Sequence, residues 1–109
     1  MGHVNTSGDP VALCSLDELR REKRVTRWIE QLRDEIMAVF VGGNIRVMSA
    51  ICPHFGGAFD YDVKRGEFVC QWHKFRFDAQ TGRCRMPQSK MQLQSYSFDV
   101  HEGMIWVRP

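Results

Sequence analysis

The chain has 109 residues, 43% of them hydrophobic and 26% charged, with a net charge of +2. That is room for one domain of ordinary globular composition. The charge is too small to imply a nucleic-acid partner, and no apolar stretch is long enough for a membrane helix.

Residues 1–10 are polar, contain Gly and Pro, and lack an apolar signal region. They read as a disordered lead, which points to a cytoplasmic protein. Residues 11–109 read as one domain. Val11 to Cys14 is apolar and predicts a first strand. Ser15 and Glu18 form a capping box, which predicts a single helical turn through Leu19. The charged run Arg20 to Arg24 reads as a solvated loop. Val25 to Gln31 is β-prone, and Arg33–Asp34 turns the chain. Glu35 to Val41 is apolar almost without a break and predicts a buried strand. Gly42-Gly43-Asn44 predicts a hairpin, because these residues accept positive φ. Ile45 to Met48 then returns and delivers the chain to Cys52.

Asp60-Tyr61-Asp62 and Lys64-Arg65-Gly66 both read as turns, and Phe68-Val69 as a short strand feeding Cys70. Phe75 to Asp78 alternates as a strand. Gln80-Thr81-Gly82 turns it back through Arg83 to Arg85, and Pro87 ends it. Gln94 to His101 alternates, with Tyr96, Phe98 and Val100 on one face. Glu102-Gly103 turns, and Met104 to Val107 closes the chain. No internal repeat or second domain is visible. Many short strands at close turn spacing predict an all-β fold, an antiparallel sandwich or small barrel.

Two stretches carry chemistry. One is Cys52-Pro53-His54-Phe55-Gly56-Gly57; the other is Cys70-Gln71-Trp72-His73. Each offers one thiolate and one imidazole, and both ligand types bind iron or zinc. The order is Cys, His, Cys, His, with gaps of one, fifteen and two residues. Zinc fingers place both cysteines first. Alternation lets two facing loops gather thiolates on one side and imidazoles on the other. A two-iron, two-sulfide cluster suits that division. Two other readings use the same residues: zinc in an ordinary Cys₂His₂ set, and no metal at all, with buried cysteines and surface histidines.

His3 and His101 lie outside the two stretches and are not expected ligands. Cys14 reads as a small core residue. Cys84, between Arg83 and Arg85, is either a plain strand residue or an exposed thiol with its pKa lowered by the flanking cations. Nothing resembles a Ser/His/Asp triad, a phosphate-cradling loop or a mononuclear iron site.

The spacing of the four Cys and His residues resembles that of Rieske iron–sulfur proteins. Pro53, Gly56-Gly57, Phe77-Asp78 and Thr81-Gly82 match the family's flanking residues. Leu16-Asp17-Glu18-Leu19 and Gly103-Met104-Ile105-Trp106-Val107 look like the ends of small Rieske ferredoxins, so the likeness runs from Val11 to Val107. It implies a Rieske-like antiparallel β-sandwich or barrel with a small cluster-binding subdomain, its loops at 52–57 and 70–75. It implies one [2Fe-2S] cluster on Cys52, His54, Cys70 and His73. The function implied is that of a soluble ferredoxin without catalytic residues, passing one electron at a time from a flavoprotein reductase to a terminal oxygenase. The alternative is a Rieske domain of a larger oxygenase or reductase subunit.

The departures are informative. High-potential Rieske proteins carry loop-linking cysteines where this chain has Gly57 and Trp72. They carry hydroxyl donors to sulfur where it has Phe75 and Phe77. Without those donors the reduced state is disfavoured, so the likeness is to the low-potential, oxygenase-associated type. Gln71 replaces a usual Pro, and its backbone N–H is free to reach a sulfur. Lys74 replaces a usual Gly, where positive φ is expected. Phe55, Trp72 and Phe75 ring the loops. They either cover the cluster or form an apolar docking tip, with Lys74 and Arg76 orienting an acidic partner.

Overall fold

The computed structural model describes residues 9–52, 58–72 and 74–109, and within them the strands form three open antiparallel sheets. The central sheet is β2 (Arg24–Ile29), β3 (Asp34–Val41) and β4 (Asn44–Ser49), with β3 in the middle. Both faces of β3 are covered. Ile36 and Ala38 pack in one cluster with Leu19, Val25, Val47, Ile105 and Val107. Met37, Val39 and Val41 pack in another with Met48, Phe68, Phe77 and Leu93. A strand buried on both sides has no polar face to show, which explains the unbroken apolar run.

The first cluster is closed by a sheet of β1 (Val11–Ser15), β10 (Met104–Arg108) and β9 (Ser97–His101), in the order β1-β10-β9. Helix α1 (Leu16–Glu22) begins as predicted, the Glu18 N–H donating to Ser15 Oγ at 3.0 Å. It runs a turn further than expected, to Lys23, whose N–H bonds the Leu19 carbonyl at 2.7 Å. Arg20 and Arg21 therefore belong to a helix. They stay exposed and complement the C-terminal end of its dipole.

The second cluster is closed by β5 (Phe59–Asp62), β6 (Glu67–Cys70), β7 (Arg76–Asp78) and β8 (Cys84–Met86), paired in chain order. Asp60-Tyr61-Asp62 is thus a strand and not a turn. Phe59 and Tyr61 stack on Phe68 across it, with ring centroids 6.1 and 5.0 Å away. Packing of these rings outweighs the turn preference of the aspartates.

Gln94 to Tyr96, expected as the start of β9, laces the free edge of β4 instead. Ser49 N–H donates to Gln94 O at 2.8 Å and Tyr96 N–H to Val47 O at 3.0 Å. Just upstream, Leu93 N–H bonds Gly82 O at 2.8 Å. A Cβ on Gly82 would sit 3.1 Å from the Leu93 carbonyl, and its φ of +80° also favours glycine. This strap joins all three sheets. Tyr96 and Phe98 pack on the first cluster, whereas Val100, expected on the same face, is 46% exposed. No helix among the described residues is long and apolar enough to cross a membrane.

Candidate metal centre

Cys70 ends β6, opposite Phe59 of β5. Its N–H donates to Phe75 O at 2.8 Å, and Lys74 N–H donates back to Cys70 O at 2.9 Å. These two bonds close the turn between β6 and β7. Lys74 has φ 61°, so the left-handed backbone expected of a glycine is adopted by a lysine, at a cost of about 1 kcal/mol. Gln71 does not leave its N–H for a sulfur: it donates to Ala58 O at 3.0 Å. Its side-chain amide bonds Asp60 Oδ1 at 2.9 Å. Gln71 therefore ties the second loop to the end of the first.

Cys52 follows β4 through Ser49-Ala50-Ile51. Ala50 N–H bonds Glu35 O at 2.7 Å, and Ile51 N–H bonds Ser49 Oγ at 3.2 Å. The Ser49 hydroxyl donates to Asp34 Oδ1 at 3.0 Å. Beyond the loop, Arg24 Nη1 holds Phe59 O at 3.1 Å. Cys52 and Cys70 are 1% and 0% exposed and share one buried cluster with Phe59, Phe68 and Phe77. Pro53, His54, Phe55, Gly56-Gly57 and His73 lie outside the described residues, as do Met1 to Gly8. Among the described residues no three Cys, His, Asp or Glu side chains gather as a metal site.

All four cysteines are buried. Cys84 is the plain strand residue of the two readings, its Sγ donating to Pro87 O at 3.1 Å. Cys14 is a core residue, and burial raises its thiol pKa first, with Glu18 adding to it.

Trp72 is 65% exposed at the tip of the second loop. Phe75 is half-buried and packs against the cluster that contains Cys70. Phe77 is fully buried, edge-on to Phe59 at 5.7 Å and 81°. Arg76 is not available to orient a partner. Its Nη1 bonds Asp62 Oδ2 at 3.2 Å and Glu67 Oε1 at 3.0 Å. Glu67, nearly buried, also faces Arg85 Nε at 3.5 Å, and Arg85 Nη1 reaches Asp78 at 3.3 Å. The Arg65 backbone N–H, then Arg76, holds the Asp62 carboxyl below its usual range. This charge lattice locks the four strands of the loop-bearing sheet. Sequence reasoning missed it, because a glutamate beside Gly66 at the start of a short strand looks like any solvated turn residue.

Residues 9–97 match the sequence model of the Rieske [2Fe-2S] domain. The chain belongs to that family. No curated protein matches its sequence. Among solved structures, this Rieske domain is similar to the ferredoxin of carbazole 1,9a-dioxygenase from Nocardioides aromaticivorans IC177. The two are 25% identical with a TM-score of 0.74, over 92% of this chain and 97% of that one. The Sphingomonas yanoikuyae B1 ferredoxin is 16% identical with a TM-score of 0.75, over 93% and 99% of the two chains. The terminal oxygenase of the Nocardioides system is 18% identical with a TM-score of 0.75, over 94% of this chain but 30% of its own. The mainly antiparallel β fold expected from the sequence is the fold observed, as open sheets rather than a closed barrel.

The family's cofactor is one [2Fe-2S] cluster, and the described residues fit it. Two soft donors lie in one buried cluster, and Gln71, next to the second, is hydrogen-bonded to Ala58 beyond the first loop. Buried thiols surrounded by aromatic rings suit a sulfide cluster, which is itself soft and poorly hydrated.

Proposed function

We propose that this Rieske domain is a one-electron carrier whose cluster is held by Cys52 and Cys70 at one iron and His54 and His73 at the other. The observation that carries the reading is the burial of both cysteines in one cluster. When bound, the cluster supplies a reversible one-electron site. The chain does the rest. Phe59, Phe68 and Phe77 exclude water from the thiolate side. The Glu67–Arg76–Arg85 lattice holds the second loop's sheet rigid. Trp72 offers an exposed aromatic contact, and in this reading Phe55 and Phe75 join it in docking the partner. Small apolar contacts suit brief electron-transfer encounters.

The donor in this reading is a flavoprotein reductase and the acceptor a terminal oxygenase, met transiently in the cytoplasm. The 25%-identical structure, a ferredoxin of a dioxygenase, supports the acceptor. Rapid-mixing reduction of a terminal oxygenase by the pre-reduced protein tests it: transfer at catalytic rates is expected, and failure with every oxygenase of its own genome sinks it. The second reading, a domain of a larger oxygenase subunit, is favoured by the match to part of a terminal oxygenase chain. The mass of the native protein separates the two.

A further inference from the structure

Asp34 gathers three elements just ahead of the first ligand loop. Its Oδ1 accepts from the Ser49 hydroxyl at 3.0 Å, and its Oδ2 accepts from the Tyr96 hydroxyl at 2.8 Å. Asp34 opens β3, Ser49 ends β4, and Tyr96 belongs to the strap along the β4 edge. Ser49 is 6% exposed, so its hydroxyl has little water to fall back on. The same Oγ accepts the Ile51 N–H at 3.2 Å. One residue later comes Cys52. A carboxylate that fixes a buried hydroxyl thus fixes the turn from which Cys52 departs. Hydrogen bonds to a charged acceptor are the stronger kind, and losing one strands the buried partner.

We propose that Asp34 is a positioning residue for the cluster: acting through Ser49, with Tyr96 bracing its second oxygen, it sets the backbone turn that places the Cys52 sulfur. This rests on the reading of Cys52 as a ligand. Ser49 is the transmitting group, bonded to Asp34 on one side and to the Ile51 N–H on the other. The spacing of Asp34, Ser49 and Tyr96 along the chain gives no hint of the link, since only the β3–β4 pairing and the strap bring them together.

Three measurements on the cluster-loaded protein test it: the exchange rate of the Ile51 amide, the electron paramagnetic resonance line shape of the reduced cluster, and the rate of iron release to a chelator. Ser49→Ala and Asp34→Ala should each speed Ile51 exchange and iron release by about tenfold and shift the line shape. Asp34→Asn, which keeps one accepting oxygen, should fall between. The double variant should be no worse than Ser49→Ala alone, because the two act in series. Val107→Ala, in the far cluster, serves as the control for general loss of stability. If Asp34→Ala matches this control in all three readouts, the positioning role is overturned while the ligand assignment stands. If Cys52→Ser keeps an unaltered cluster, the ligand assignment itself fails and takes this proposal with it. If Asp34→Ala does not fold, Asp34→Asn and Tyr96→Phe decide, and both leaving Ile51 exchange unchanged would overturn it.

Discussion

Lys74 occupies a backbone conformation that costs a lysine what it would not cost a glycine. Lys74→Gly should therefore stabilise the protein by about 0.5–1 kcal/mol, after the entropy of the unfolded glycine is set against the relief of strain. The midpoint of urea unfolding should rise; a fall would mean that the side chain makes contacts worth more than the strain. The family resemblance implies that Phe75 and Phe77 stand where high-potential Rieske proteins carry hydroxyl donors to sulfur. The reduction potential is accordingly expected at the low end of the Rieske span, roughly −150 mV. Phe75 is half-buried against the cysteine cluster, so Phe75→Ser introduces a hydroxyl there at some cost in packing, and cluster content is measured alongside. Voltammetry should show a higher potential for that variant, and a wild-type value well above zero would contradict the donor argument. Trp72 is exposed, so its truncation removes little buried surface. Trp72→Ala should slow electron transfer to the partner in rapid-mixing kinetics while cluster content and potential stay nearly constant.

Among the elements, those whose pattern follows from their own burial were legible in the chain. The β3 run was readable because both faces are covered, and the α1 cap because Ser15 Oγ accepts the Glu18 N–H three residues on. Strand β5 was not readable, since Phe59 and Tyr61 need Phe68 on a neighbouring strand to outweigh two aspartates. The strap at Gln94 to Tyr96 alternates like a strand yet pairs with β4, a choice made by partners far along the chain. The Glu67 lattice is invisible for the same reason. Glu67→Ala would leave Arg76 and Arg85 without their shared acceptor in a partly buried setting. Because both arginines keep a second carboxylate partner and some solvent, the loss should be about 1–3 kcal/mol, below that for a fully buried pair. Thermal unfolding checks it, with an unchanged midpoint excluding a structural role for the lattice.

For the whole molecule, alkaline pH should expose the joint held by Tyr96. Its pKa is raised, first by burial and then by the hydrogen bond and charge of Asp34; that of Tyr61 is raised by burial. Unfolded tyrosine loses its proton near 10, while the folded groups still hold theirs. The stability they contribute is full below about pH 10 and is lost as pH rises through the folded pKa values. Tyr96→Phe should flatten that alkaline fall in melting temperature; an unchanged slope would show that Tyr96 does not link folding to protons. Spacing singled out the four proposed ligands but left iron, zinc and no metal open, and the family likeness chose the [2Fe-2S] cluster. What spacing could not show is how the chain is tied on either side of the first loop, by Ser49 between Asp34 and Ile51 before it and by Gln71 to Ala58 after it. The central claim is a mixed thiolate–imidazole cluster on Cys52, His54, Cys70 and His73. Its most direct measurement is the metal and acid-labile sulfide content of protein made with ample iron, alongside nitrogen hyperfine spectra of the reduced protein labelled with ¹⁵N-histidine. Two irons and two sulfides per chain, as a [2Fe-2S] cluster requires, with labelled couplings that vanish in part in His54→Cys and in His73→Cys, are expected. Colourless protein with stoichiometric zinc, or a cluster with no histidine coupling, would contradict it.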